Sequence, residues 1–192
     1  MLFRSLLNTN LGSKKLRGIV RPLQELATET AHDLHRVALE LRPPALDQLG
    51  LVKAIRNLTE TWSTQCRIDV DFEARKYEST DISSEIETTL YRVIQEGLNN
   101  IAKHSGAKRV GVVLYQAADH IQTIIEDDGR GFNTAGAHSQ PNGRGRLGLL
   151  GIRERLAHIG GSLNVKSALG RGVTLVVRVP IHSAYAKEKQ SN

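Results

Sequence analysis

Only three residues, Ala117-Ala118-Asp119, separate the segment RVGVVLYQ (109–116) from HIQTIIEDD (120–128), and both segments alternate apolar side chains with others. A period of two places one set of side chains on a single face of a strand. A connection this short joins neighbouring antiparallel strands and leaves no room for a crossover. The same pattern returns near the end of the chain, where SLNVKS and GVTLVVRVP are joined by ALGR. Two hairpins exclude an all-parallel sheet. A further strand, RIDVDFEA, alternates Ile68, Val70 and Phe72.

Helical spacing fills the gaps between these strands. Leu51, Ile55, Leu58 and Trp62 share one face of a helix predicted over 50–65. Ile86, Leu90, Val93, Ile94 and Leu98 line a longer one over 82–104, and a third is expected at 148–159. Residues 129–147, rich in Gly, Asn, Ser and Pro, read as a loop. The order of elements gives an α+β fold: a two-layer sandwich of one mixed sheet with helices on one face. Upstream, Leu23, Ala27, Thr30, Leu34, Val37 and Leu41 recur at spacings of four and three over a helix predicted at 14–42. Pro22 lies near its start, and Pro43-Pro44 ends it, because proline drives the preceding residue out of the helical region. A seam of this length suits a bundle or a helix pair outside the sheet unit. The last residues, AYAKEKQSN, are polar and expected to fray. No internal repeat is found.

Composition removes several classes of function. A chain of 192 residues holds one full domain and an appended element. The single cysteine, Cys66, rules out an internal disulfide. No apolar run approaches the ~20 residues that span a membrane. The start, MLFRSLLNTN, has the wrong charge order for a signal peptide, so a cytoplasmic location is expected. The net charge of +6 is spread along the chain, and aromatic residues are only 4%, which argues against nucleic acid as a partner.

Chemistry is suggested by three glycine-bearing segments and one helix. There is no phosphate loop of the GxxxxGK[ST] type. Asp127-Asp128-Gly129-Arg130-Gly131-Phe132 follows a strand directly, and a strand-end aspartate can accept a hydrogen bond from an exocyclic amine such as that of adenine. Taken alone, this segment also fits a plain turn. Gly143-Arg144-Gly145-Arg146-Leu147-Gly148-Leu149-Leu150-Gly151 precedes a helix, whose free N–H groups favour anions. Gly170-Arg171-Gly172 is a hairpin turn. On the long helix, Glu96 and Asn100 are one turn apart, with Lys103 and His104 one turn further on. Asn100 can offer Mg²⁺ an oxygen, Glu96 can act as a base or order a water, and Lys103 can meet phosphate. Each of these residues also fits an exposed polar helix face.

Taken in order, YRVIQEGLNNIAKHSGAKRV, EDDGRGF, GRLGLLGIRERLAHIGG and SALGRGVTLVVRVP closely resemble the ATP-binding domain of sensor histidine kinases. That domain belongs to the larger GHKL superfamily (the Bergerat fold), which includes gyrase, the Hsp90 chaperones and MutL. ELRPPALDQLGLVKAI and GIRERLAHIGG narrow the resemblance to the nitrate-sensor and DesK type. It covers about residues 23–181. The resemblance implies ATP and Mg²⁺ as cofactors, with Asn100 holding the metal and Asp127 receiving the adenine amine. Gly129 and Gly131 would shape the pocket, and Gly145, Gly148, Leu149 and Gly151 would belong to the ATP lid and the helix behind it. Glu96 would be the catalytic acid of the family's N box and Lys103 a phosphate contact. Thr174 would meet the nucleotide from the third glycine box, with one departure: Val173 follows Gly172 where the family often has threonine, so Thr174 comes one residue late and points to the opposite strand face.

The resemblance also divides the chain. Residues 1–44 would be a partial dimerisation helix, 45–182 the ATP-binding catalytic domain and 183–192 a flexible tail. A homodimer through the N-terminal helix and the receiver domain of a response regulator are the implied partners. In the family's dimerisation hairpin the acceptor histidine lies on the first helix, and the second runs into LeuArgProPro. Here Leu41-Arg42-Pro43-Pro44 comes only nine residues after His32, so AHDLHRVALELRPP matches the second helix. His32 and His35 are the candidate acceptors in this stretch, and both read as bystanders on outward positions of the seam. The expected function is transfer of the ATP γ-phosphate to a histidine and then to a response regulator, with the acceptor helix missing from this chain. An ATPase or serine kinase on the same fold, and a non-kinase ATP-binding or adaptor module, are the alternatives.

Overall fold

In the computed structural model the described residues are 42–77, 82–133 and 145–181, with side chains omitted at 145–147. The chain divides into two units, Met1–Arg42 and Pro43–Asn192, and the sheet belongs to the second. Residues 1–41, which hold most of the helix predicted at 14–42 with His32 and His35, and residues 182–192 lie outside the described residues.

Helix α1 runs Pro44–Cys66, six residues earlier than its apolar spacing indicates. The added turn is set off by a kink at Gly50 (φ 71, ψ 166), and Pro44 opens it where a missing N–H does no harm. Strand β1 (Asp69–Arg75) follows, then helix α2 (Ser84–His104). The Ser83 hydroxyl accepts from the Ile86 N–H at 3.3 Å. Glu85 and Glu87 in the first turn, and Lys103 and His104 in the last, complement the helix dipole. Strands β2 (Arg109–Gln116) and β3 (His120–Asp127) form the first hairpin. Helix α3 (Gly145–His158) leads into β4 (Ser162–Ser167) and β5 (Val173–Pro180). Its start at Gly145 makes helical the last three residues of the segment expected to be loop.

The sheet has the order β1-β2-β3-β5-β4. β1 and β2 are parallel, joined by the α2 crossover, and every other pair is antiparallel. Parity decides burial. Val110, Val112 and Leu114, Ile121 and Ile125, and Leu175, Val177 and Val179 are buried against the helices, while their neighbours are not. Leu51, Ile55 and Trp62 of α1, Leu90, Val93, Ile94 and Leu98 of α2, and Ile152 and Leu156 of α3 belong to the same core. Gly97 lets α2 lie close on the sheet, since a Cβ there would sit 2.8 Å from Ile125 Cδ1. Among the described residues no helix is long and apolar enough to cross a membrane.

Candidate functional site

Asp127 is the last residue of β3, and strand parity carries it to the helix side, where it is buried. Its Oδ1 accepts the Gly129 N–H at 2.8 Å. Burial pushes its carboxyl above the ordinary carboxylate range; N–H groups of Gly129 and Val173 oppose the shift, and the charges of Asp128 and Glu126 add to it. The adjacent Asp128 has a different task. It is turned outward, and its Oδ1 accepts the N–H groups of Lys108 (2.8 Å) and Arg109 (3.0 Å), fastening the loop to the start of β2. Those bonds hold its carboxyl below the usual range.

The segment after Asp127 is wedged between two others. Arg130 donates its N–H to the Ser105 carbonyl at the end of α2 (2.9 Å), and its own carbonyl accepts the Gly170 N–H (2.7 Å). Gly131 (φ 56) and Gly172 (φ 68) meet here: a Cβ on Gly131 would collide with the Ala168 carbonyl, and one on Gly172 would fall inside the Asp127 carbonyl. The first and third glycine segments therefore pack backbone on backbone, which only glycine permits.

The second glycine segment meets α2. Gly148, in the first turn of α3, lies directly on Glu96 and Asn100: a Cβ there would be 2.5 Å from Glu96 Oε1 and 2.8 Å from Asn100 Nδ2. Glu96 and Asn100 are half-buried, and among the described residues Asn100 Nδ2 is buried without a hydrogen-bond partner. Lys103 continues the same stripe of α2 but is exposed. Gly145 opens α3, and Leu149 and Gly151 are half-buried along it. Thr174 is not brought to this site. It pairs with Glu126, on the outer face of the sheet, while Val173 stands opposite Asp127.

Two residues of the site lie inside the motifs but carry no role there: Arg155 in GIRERL and Ser167 at the head of SALGRG. Arg155 is half-buried seven residues after Gly148, two turns on and so on the same side of α3. Burial lowers its pKa, and attraction to Glu96 and then Glu154 opposes this, so its guanidinium lies within electrostatic reach of Glu96. Its heptad offset from Gly148 is the signal that could have found it. Ser167 ends β4, and its hydroxyl joins the two glycine segments around Asp127. Nothing in its type or spacing singles it out.

Among the described residues no three His, Cys, Asp or Glu side chains gather as a metal site. Mg²⁺ commonly takes one or two protein oxygens and completes its octahedron with phosphate and water, so the Asn100 side chain beside Glu96 is compatible with it.

The raised carboxyl of Asp127 fixes a sign. A carboxyl whose folded pKa exceeds the unfolded value of ~3.9 adds stability below that value and loses it as pH rises through the folded pKa. At neutral pH the buried carboxylate is thus a liability to the fold. Asp127→Asn is expected to leave the thermal midpoint at pH 7 unchanged or raised, while weakening adenine-nucleotide binding by turning an acceptor into a donor. Thermal melts and titration calorimetry on one sample check both; a midpoint lowered by several degrees would show the carboxylate to be structural.

Residues 85–183 match the family described as histidine kinase-, DNA gyrase B-, and HSP90-like ATPase. The chain is 34% identical over 148 residues to the sensor histidine kinase MctS of Rhizobium johnstonii, covering 77% of this chain and 31% of that protein. It is 35% identical over 153 residues to the signal transduction histidine-protein kinase/phosphatase UhpB of Salmonella typhimurium, covering 80% of this chain and 29% of that one. The chain thus spans about three tenths of the length of these relatives. Its fold is shared with the histidine kinase domain from the blue-light activated histidine kinase of Erythrobacter litoralis EL346, with a TM-score of 0.53 at 20% identity over 68% of this chain and 61% of that one.

Proposed function

Because the chain belongs to the histidine kinase-, DNA gyrase B- and HSP90-like ATPase family, we propose that it is the ATP-binding catalytic part of a two-component sensor histidine kinase of the nitrate-sensor and DesK type. The observation that carries this reading is the convergence of Gly148 on Glu96 and Asn100. It joins an acid, a metal-competent amide and a helix N-terminal turn at one place, the set that phosphoryl transfer from a nucleotide needs. Asp127 supplies a buried acceptor for the adenine amine, flanked by Gly129 and Gly131.

Phosphoryl transfer depends mainly on positioning and charge neutralisation. Mg²⁺ bound at Asn100 would supply Lewis-acid neutralisation of the phosphates. Asn100 has a buried amide nitrogen to spare, so its side chain can turn its oxygen to the metal without breaking a protein hydrogen bond. Glu96 takes or orients the proton of the attacking group. Arg155 sets a positive charge within electrostatic reach of the glutamate. Lys103 steadies phosphate from the last turn of α2. Gly145, Gly148, Leu149 and Gly151 let the first turns of α3 close on the nucleotide. Thr174, on the outer face, takes no part. The acceptor histidine lies on a helix other than the one bearing His32 and His35, and the receiver domain of a response regulator takes the phosphoryl group from it.

The test is incubation with γ-labelled ATP and Mg²⁺, with nucleotide binding measured in the same sample. Binding without protein label is the expected result, and label should appear on an acceptor-helix fragment of the same kinase type supplied in trans. Glu96→Ala is expected to abolish that transfer, at least 10²-fold as for loss of a general base, with nucleotide affinity held within about threefold. Acid-labile, alkali-stable label on the chain itself would instead place an acceptor at His32 or His35. Nucleotide binding with no transfer to any acceptor would favour the adaptor reading.

A further inference from the structure

We propose that Ser167 is the positioning residue of the base site, the side chain that fixes where the Asp127 carboxylate stands; the proposal rests on the ATP reading above. Its hydroxyl is used in both senses. It accepts the Phe132 N–H at 2.8 Å and donates to the Gly172 carbonyl at 2.9 Å. Phe132 closes the segment that begins at Asp127, and Gly172 closes the turn between β4 and β5. One oxygen therefore ties the two glycine segments across thirty-five residues of sequence.

The tie bears on Asp127 through backbone alone. Gly172 is pressed on the Asp127 carbonyl, and Gly131 on the carbonyls of Ala168 and Gly172. Glycine fits these close approaches because it has no Cβ, and glycine residues with positive φ have the widest conformational freedom to leave them. The Gly170 N–H to the Arg130 carbonyl holds the far side of the loop. On the near side Asp127 pairs with Val173, whose N–H meets the Asp127 carboxyl, and the Ser167 hydroxyl holds the carbonyl of Gly172, the residue before Val173. Without it the Phe132 N–H and the Gly172 carbonyl lose their partner; Asp128 and Arg130 still fasten the Gly129 side of the loop, and it is the Val173 side of the Asp127 carboxyl that is loosened. Ser167 touches no substrate; it acts through Asp127.

The distinguishing readout is recognition of the adenine amine. Calorimetry would compare ATP, purine riboside triphosphate (which lacks the exocyclic amine) and inorganic tripolyphosphate on the wild-type chain, Ser167→Ala and Ser167→Thr. In the wild type ATP should bind better than the purine analogue. In Ser167→Ala ATP affinity should fall roughly tenfold, the size of two lost neutral hydrogen bonds. The preference over the purine analogue should collapse toward one, while tripolyphosphate binds as before. Ser167→Thr keeps the hydroxyl and should restore both affinity and preference. If the alanine variant does not fold, Ser167→Cys, nearly isosteric with a weak donor, takes its place with the same expectation. An alanine variant that weakens ATP and the purine analogue equally, or weakens neither, overturns the proposal. A wild-type chain that binds tripolyphosphate and ATP alike overturns it too, because no amine would then be read. A wild-type chain that binds none of the three removes the ATP reading itself, and this inference with it.

Discussion

Gly172→Ala is expected to lower the thermal midpoint by roughly 10 °C and to abolish adenine-nucleotide binding. Two penalties combine. A side chain at φ 68 costs about 1 kcal/mol against a right-handed conformation. The new methyl would also fall inside the Asp127 carbonyl, a backbone atom of a central strand that cannot rotate aside. Relieving such overpacking by moving backbone costs about 2 kcal/mol more. The strand end that moves is the one that carries Asp127, so binding fails together with stability. Gly170→Ala is the matched control: φ is 72, yet a Cβ there meets nothing within 4 Å. Its loss should be confined to about 1 kcal/mol and a few degrees. Equal melting of the two variants by differential scanning calorimetry would mean that the close approach at Gly172 contributes nothing.

Gly148→Ala should behave in the opposite way, leaving the fold intact and removing the chemistry. The atoms in the path of its methyl are Glu96 Oε1 at 2.5 Å and both side-chain termini of Asn100, at 2.8 and 2.9 Å. These are ends of flexible side chains on a neighbouring helix, so they swing away at little cost. Within a helix the change from glycine to alanine is itself favourable by up to ~1 kcal/mol. The melting temperature should therefore hold or rise. The displaced glutamate and amide no longer converge, and a misplacement near 1 Å is enough to cost ~10²-fold in rate. Phosphotransfer to an acceptor in trans should drop by that order, with Mg²⁺-dependent tightening of ATP lost. A variant with full activity would show that α3 lifts away from α2 in the working state and that Gly148 is free of both residues there.

The two hairpins are legible because short connections and strict alternation leave one solution: RVGVVLYQ and SLNVKS form strands with the bounds that their patterns indicate. The ends of helices are harder. The apolar spacing begins at Leu51, so the helix reads from Gly50; in the fold Gly50 is a kink after an extra turn. Glycine and arginine carry no helical period, so Gly145 to Leu147 read as loop, yet they belong to α3. At the site, Asp127 and the α2 stripe can be found from chemistry placed at a strand end or at helical spacing. Glu96 meeting Gly148 cannot, since it depends on how two helices pack, and Ser167 cannot, since its role is a pair of bonds to backbone far off in sequence. Thr174 is the instructive case: parity alone puts it on the far face, and its pairing with Glu126 agrees.

Helix α2 carries Glu96 and Asn100 one turn apart and is capped by Ser105, whose carbonyl accepts the Arg130 N–H of the loop beside Asp127. Nine residues at 1.5 Å each separate Glu96 from Ser105, about 14 Å along the axis. The helix therefore works as a rigid ruler between the two ends of the site, and neither end can be adjusted without the other. Single substitutions at its exposed positions, such as Ala102 and His104, leave both ends in place. An inserted or deleted residue between Glu96 and Ser105 cannot, because it would turn one end by about 100° and change the gauge by 1.5 Å at the same time. The length of this stretch, more than its composition, is what the fold holds constant.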